Sequence, residues 1–134
     1  MALELALGVG LLLLPVAMLV AVFPGWAERT AMAKVAAQEA ARAAALSESA
    51  AEGIAAGEAL AAQIAANHGV PASELTTEIS VPVDAAGDLM RGAEVTASVT
   101  VEIRMPALPL PGTGWSIDRT ITHRERIDDY RSLR

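Results

Sequence analysis

The feature that most constrains this chain is an apolar run close to its N-terminus. From Leu5 to Phe23 there are 19 residues without a charge, mostly Leu, Val and Ala. As an α-helix this run is roughly 28 Å long, which is close to the ~30 Å hydrocarbon core of a bilayer. A cleaved secretory signal carries basic residues before a shorter apolar stretch, and no Lys or Arg precedes Glu28 here. We therefore predict a retained membrane-spanning helix over residues 1–26.

The far end of the apolar run has the composition of a membrane boundary. Trp26 is followed by Glu28 and Arg29, and an indole next to charged residues is typical of the headgroup level. Prolines are tolerated in membrane helices because neighbouring groups satisfy the freed carbonyls. We expect a kink at Pro15 and a bend or a short break at Pro24-Gly25.

Residues 27–70 form an alanine-rich segment with high helix propensity, in which 19 of the 40 residues from Ala27 to Ala66 are Ala. The simplest interpretation is one nearly continuous helix from about Leu3 to Ala66, which ends at Asn67-His68-Gly69. Gly53 and Gly57 weaken this helix, but their spacing of four leaves one face open to a second backbone. We predict that these two glycines are helix-packing positions.

Residues 71–134 change from helical to alternating periodicity. Ile79, Val81 and Val83 indicate one strand, Val95–Met105 a second of about twelve residues, and Ser116–Arg124 a third. A turn region (84–92) and a Pro/Gly-rich loop (106–115) separate them, and a charged tail follows. The sequence thus predicts an α+β fold in which a three-stranded antiparallel sheet buries its apolar face against the Ala-rich helix.

No residue pattern in the chain indicates catalysis. The net charge of −6 argues against nucleic-acid binding, and the absence of Cys excludes thiolate metal sites. His68 and His123 have no neighbours at metal-ligand spacing. Glu48, Glu52 and Glu58 are typical of a solvated helix face. We predict a protein that is not an enzyme, with no cofactor, no metal and no small-molecule substrate.

Glu4 is unusual among the charged residues, because it directly precedes the apolar run at its N-terminal end. A carboxylate that enters hydrocarbon is costly and usually has a partner. In one interpretation Glu4 is an ordinary residue at the headgroup interface. In the other it pairs with a positive group on another chain.

These features together resemble a known family. The chain resembles the TadE/TadG-like pilins of the tight-adherence (Flp-type, type IV-related) pilus system. Four features carry the resemblance: the start Ala2-Leu-Glu4-Leu followed by an apolar helix, the Ala-rich continuation, the Pro109–Trp115 loop and the tail with Tyr130. The layout is most similar to small TadE-like proteins of high-GC Gram-positive bacteria. Two features differ from the family pattern: no basic leader ending in Gly precedes the helix, and the proline after the glutamate lies late, at Pro15.

The resemblance implies a pilin-like fold and a non-enzymatic minor pilin or pilus-assembly component. Its partners would be other pilin or assembly subunits and the membrane, and Glu4 would neutralise the N-terminal amine of a neighbouring subunit. The resemblance places the small domain outside the cell, whereas Arg29, Lys34 and Arg42 after the helix would place it inside by the positive-inside rule. The alternative function is a bitopic envelope protein that scaffolds a membrane partner through its Ala-rich helix.

Overall fold

The first element is one helix of unusual length. The computed structural model describes residues 1–105 and 114–129, and in it helix α1 runs from Ala2 to Leu46, 45 residues. The helix includes both Pro15 and Pro24, so the break considered at Pro24-Gly25 is absent. Each proline removes one backbone donor, and the hydrogen bonds on either side of it continue the helix. The apolar run and the first part of the Ala-rich segment are therefore one element.

The helix does not continue to Ala66, and that prediction is wrong. α1 ends at Leu46, and a second helix, α2, runs from Ala50 to Asn67. Ser49 lies in extended backbone and its hydroxyl accepts a hydrogen bond of 3.2 Å from the Glu52 amide. This N-cap, in a Ser-x-x-Glu sequence, starts a new helix after a break of three residues. Residues 27–70 are thus two helices joined by a tight turn.

The end of α2 is the one that the sequence predicts. Gly69 has a φ of +71°, a left-handed conformation that suits Gly. Its amide donates to the Ala66 carbonyl, and the amide of Val70 donates to the Ala65 carbonyl at 2.9 Å. These two bonds are the Schellman pattern, and the accompanying apolar residue, Val70, is buried.

Three strands follow a single 3-10 turn at Ala72–Glu74. They are β1 (Leu75–Ser80), β2 (Glu94–Met105) and β3 (Trp115–Arg126). The sheet is antiparallel in the order β1-β2-β3, with Val99 opposite Thr77 on one side and Ile121 on the other. β1 begins and ends earlier than the Ile79–Val83 alternation predicted, because the chain turns at Pro82 and Val83 forms only an isolated bridge with Leu89. The α+β architecture predicted from the sequence is confirmed.

The core lies between the sheet and α1. Every second residue of β2 from Val95 to Ile103 is at most 2% exposed: Val95, Ala97, Val99, Val101 and Ile103. Opposite them α1 contributes Met32 and a stripe of fully buried alanines: Ala33, Ala36, Ala37, Ala40, Ala41 and Ala44. Because this stripe has almost no side-chain volume, helix and sheet backbones approach closely. The prediction that the sheet buries its apolar face against the Ala-rich helix is confirmed, since Val95, Val99, Val101 and Ile103 are all buried.

Helix α2 packs antiparallel on α1 through its two glycines, both of which are buried. A Cβ atom added at Gly53 would lie 2.9 Å from the Ala44 carbonyl oxygen, and one at Gly57 would lie 2.9 Å from that of Ala40. Both oxygens belong to the backbone of α1, so neither moves easily. The close backbone approach predicted for this glycine pair is thus made within the chain, between α1 and α2.

We expect Gly57→Ala to destabilise the domain by about 1–3 kcal/mol, the usual cost of overpacking, although Ala is the better helix former. Gly25→Ala is the matched control, because Gly25 is also helical and an added Cβ there meets nothing within 4 Å. Thermal unfolding of both variants in detergent, followed by circular dichroism, checks the difference. An unchanged or higher midpoint for Gly57→Ala would contradict the close contact.

Candidate functional site

The first half of α1 is a long uncovered apolar surface. We call residues 2–25 of this helix the apolar stem; none of them is buried, and leucines such as Leu5, Leu11 and Leu12 are more than 70% exposed. An 18-residue window of α1 near the N-terminus has a mean hydropathy of 2.7 and no buried residue. The helix is therefore long and apolar enough to cross a membrane. An apolar surface of this extent requires an apolar surround, which lipid or other stems provide.

Glu4 is the only charged side chain on the stem. Its side chain is 85% exposed, and its Oε2 lies 3.7 Å from the amino group of Met1, which is itself fully exposed. An exposed ion pair at this separation contributes little stability. The structure thus leaves the carboxylate accessible to a group on another molecule.

A second group of charges joins the stem to the domain. Glu74, at the end of the 3-10 turn before β1, is only 6% exposed and forms two ion pairs. Arg29 Nη1 lies 2.6 Å from Glu74 Oε2, and Arg104 Nη2 lies 2.6 Å from Glu74 Oε1. Arg29 also donates to the backbone carbonyl of Glu102 at 2.5 Å. We call Arg29, Glu74 and Arg104 the charge clamp.

The charge clamp holds Glu74 in its ionised form. The hydrogen bond from Arg29 lowers the pKa of the Glu74 carboxyl below its ordinary value of 4.5, against the opposing effect of desolvation, and the charges of Arg29 and Arg104 lower it further. Because Arg29 is on α1, Glu74 precedes β1 and Arg104 is on β2, the clamp ties helix and sheet together three residues beyond Trp26. It lies at the base of the stem, where α1 first packs on the sheet.

Sequence reasoning missed the charge clamp. Arg29 and Glu74 lie 45 positions apart, so no local pattern connects them. The one available signal is that Arg29 directly follows the apolar run, in a segment that must pack on the sheet. The residues around Glu74 and Arg104 in the sequence do not distinguish these two side chains from charged residues exposed to solvent.

The Ala-rich surface is largely used within the chain. Its alanine stripe packs on α2 and β2, and the faces of α1 that remain exposed carry Val35, Arg42 and Leu46 instead. A partner that bound this half of α1 would contact those side chains and not the buried alanine stripe.

The other candidate side chains lie apart from one another. His68 is exposed at the end of α2, and His123 Nε2 lies 3.5 Å from Glu125 on the same strand. Glu48, Glu52 and Glu58 are exposed. Within residues 1–105 and 114–129, no three His, Asp or Glu side chains converge on a position for a metal ion. Residues 106–113, which hold most of the Pro109–Trp115 motif, and the tail from Tyr130 onward lie outside the described residues.

Comparisons of the chain with protein-family models, with curated proteins and with solved structures gave no match.

Proposed function

We propose that this chain is a non-enzymatic, single-pass membrane subunit of a tight-adherence type pilus or of its assembly complex. The observation that supports this most is the combination of an apolar stem with no buried residue and a small domain built on the same helix. Such a helix packs equally well against lipid and against other apolar helices. The same surface can therefore contact lipid before the pilus assembles and neighbouring subunits afterwards. The TadE-like layout described above supports the same assignment.

In this proposal the stem spans the cell membrane and the domain lies on its extracytoplasmic side. Small residues within the stem, among them Gly8 and Gly10, have no atom within 4 Å of an added Cβ, so a neighbouring helix has room to approach there. Glu4 pairs with the terminal amine of a neighbouring subunit, and the domain faces outward to make lateral contacts.

Photo-cross-linking from single cysteines tests the proposal, because the chain has no native Cys. Cysteine is placed in turn at Leu11, Leu12, Leu13 and Leu14, which together sample the whole circumference of the stem at about 100° per residue. Each variant is labelled in membranes with a thiol-reactive benzophenone. We expect protein adducts from one face of the stem, and no protein adduct from Ala62→Cys on the exposed side of α2.

The same experiment separates the proposal from its alternative, a scaffold that binds a partner through its Ala-rich helix. That function predicts adducts from Val35→Cys and Arg42→Cys, with only lipid adducts from the four stem positions. A stem that captures no protein at any position, in cells that assemble the complete pilus system, would contradict the proposed function.

A further inference from the structure

The end of the sheet lies beside the boundary of the apolar run. Met105, the last residue of β2, lines a groove with Ala21, Val22 and Gly25 of α1, and Trp26 lies in the same groove. These α1 residues lie in the last turn and a half of the apolar stem. The sheet thus begins at the level where the stem leaves the apolar surround.

An aromatic side chain lies next to Met105, on the adjacent strand β3. Trp115 is the register partner of Met105, and its side chain is 58% exposed. Ile117, two residues further along the same strand face, is 41% exposed. Trp26 is also at the surface, with its ring centroid 5.9 Å from that of Phe23. Two indoles on separate elements are therefore exposed at one level of the molecule.

This level matches the composition of a membrane–water interface. Indoles favour the headgroup region because the ring is amphipathic, with an apolar body and one N–H donor. The charge clamp lies next to them, and the Arg104 side chain is 68% exposed. The far end of the domain, around Leu89 and Ala44, is separated from Trp26 by about 27 Å of helix α1.

We infer that the Met105–Trp115 end of the sheet is a second membrane contact, which inserts Trp115 into the headgroup layer of the bilayer that the stem crosses. The domain consequently rests on the membrane surface instead of standing clear of it. The stem and this contact are two attachment points on one rigid body, so together they fix the tilt and rotation of the domain before assembly. This inference rests on the proposed membrane span of α1.

Tryptophan fluorescence tests the contact directly, because Trp26 and Trp115 are the only tryptophans in the chain. Trp26→Phe leaves Trp115 as the single probe. The protein is reconstituted into phosphatidylcholine vesicles, with and without bromine atoms on the acyl chains just beneath the headgroups. We expect a blue-shifted Trp115 emission, a loss of intensity with the brominated lipid similar to that of Trp26 in Trp115→Phe, and protection from acrylamide.

A probe at the other end of the domain serves as the control. Met90 is exposed and directly follows Leu89 of the far cluster, so Met90→Trp in the Trp26→Phe/Trp115→Phe background should remain unquenched by the brominated lipid. Quenching of Trp26 without quenching of Trp115 would overturn the second contact and leave the membrane span intact. Failure to quench either tryptophan would overturn the span and, with it, the second contact.

Discussion

Replacing Glu4 with Ala should abolish incorporation of the chain into the pilus or its assembly complex while leaving membrane insertion intact. In the proposed assembly the carboxylate neutralises an amine in an apolar surround, and removal of one partner of such a pair costs about 3–5 kcal/mol. A loss of this size lowers the equilibrium constant for incorporation by roughly 10²- to 10⁴-fold. Insertion should be unchanged or slightly better, because a charge at the lip of the apolar run is removed.

Two further variants and two readouts make the Glu4 prediction specific. Glu4→Asp keeps the negative charge and should retain incorporation. Glu48→Ala removes an exposed acid from the turn between the helices and should have no effect. Membrane fractionation and co-purification with the assembled complex are measured for each variant. Normal incorporation of Glu4→Ala would show that Glu4 is an ordinary residue of the headgroup interface. Reduced membrane insertion would show that it acts in the membrane anchor alone.

Replacing Glu74 with Lys should abolish the cooperative unfolding transition of the domain. The substitution would place a third cation against Arg29 and Arg104, whose guanidinium groups both lie 2.6 Å from the present carboxylate. Only 6% of Glu74 is exposed, so water screens this repulsion less than it would between fully exposed side chains. Glu78→Lys is the matched control, because Glu78 is an exposed residue of β1 only four positions away. A cooperative transition in Glu74→Lys close to that of Glu78→Lys would contradict the charge clamp.

The clamp also predicts the direction of the pH dependence of stability. The pKa of Glu74 is lower in the folded chain than its ordinary value of 4.5, so the unfolded chain takes up a proton first as the pH falls. The stabilisation from the clamp is therefore complete above about pH 4.5 and is lost as the pH falls through the lower, folded pKa. Glu74→Gln should remove this part of the acid dependence, and Glu78→Gln should not. Thermal midpoints measured between about pH 7 and about pH 3 check the difference.

The parts of the fold that the sequence predicts well are those that depend on short-range patterns. The stem follows from the length and composition of the Leu5–Phe23 run, and β2 from twelve residues of strict alternation. The end of α2 follows from Gly69, since few other residues adopt its left-handed conformation.

The turn between α1 and α2 was missed because helix propensity is nearly uniform across the Ala-rich segment. Three residues, Ser47-Glu48-Ser49, separate two stretches of equally good helix formers. The Ser49-Ala-Ala-Glu52 cap was the local signal, and the glycine pair that follows it was a second. Their combination predicts a new helix that packs closely on its predecessor. A continuous helix would have left the buried face of the second helix, which packs on α1, without cover.

The charge clamp could not be predicted, because it depends on tertiary placement. Arg29, Glu74 and Arg104 come together only after α1 has packed on β2 and the 3-10 turn has placed Glu74 between them. The same holds for the shared level of Trp26 and Trp115, which belong to separate elements. The functional consequences that we propose for the domain's orientation thus depend on contacts that no local pattern records.

The most direct test of the central proposal is a zero-length cross-link from Glu4. A carbodiimide joins a carboxylate to an amine only when the two are in contact, and mass spectrometry identifies the peptides that are joined. In the native membrane or filament we predict an amide between Glu4 and the terminal amine of another subunit, absent from Glu4→Gln. An amide formed solely with the chain's own Met1, which lies 3.7 Å away, or no amide at all, would contradict the proposed assembly role.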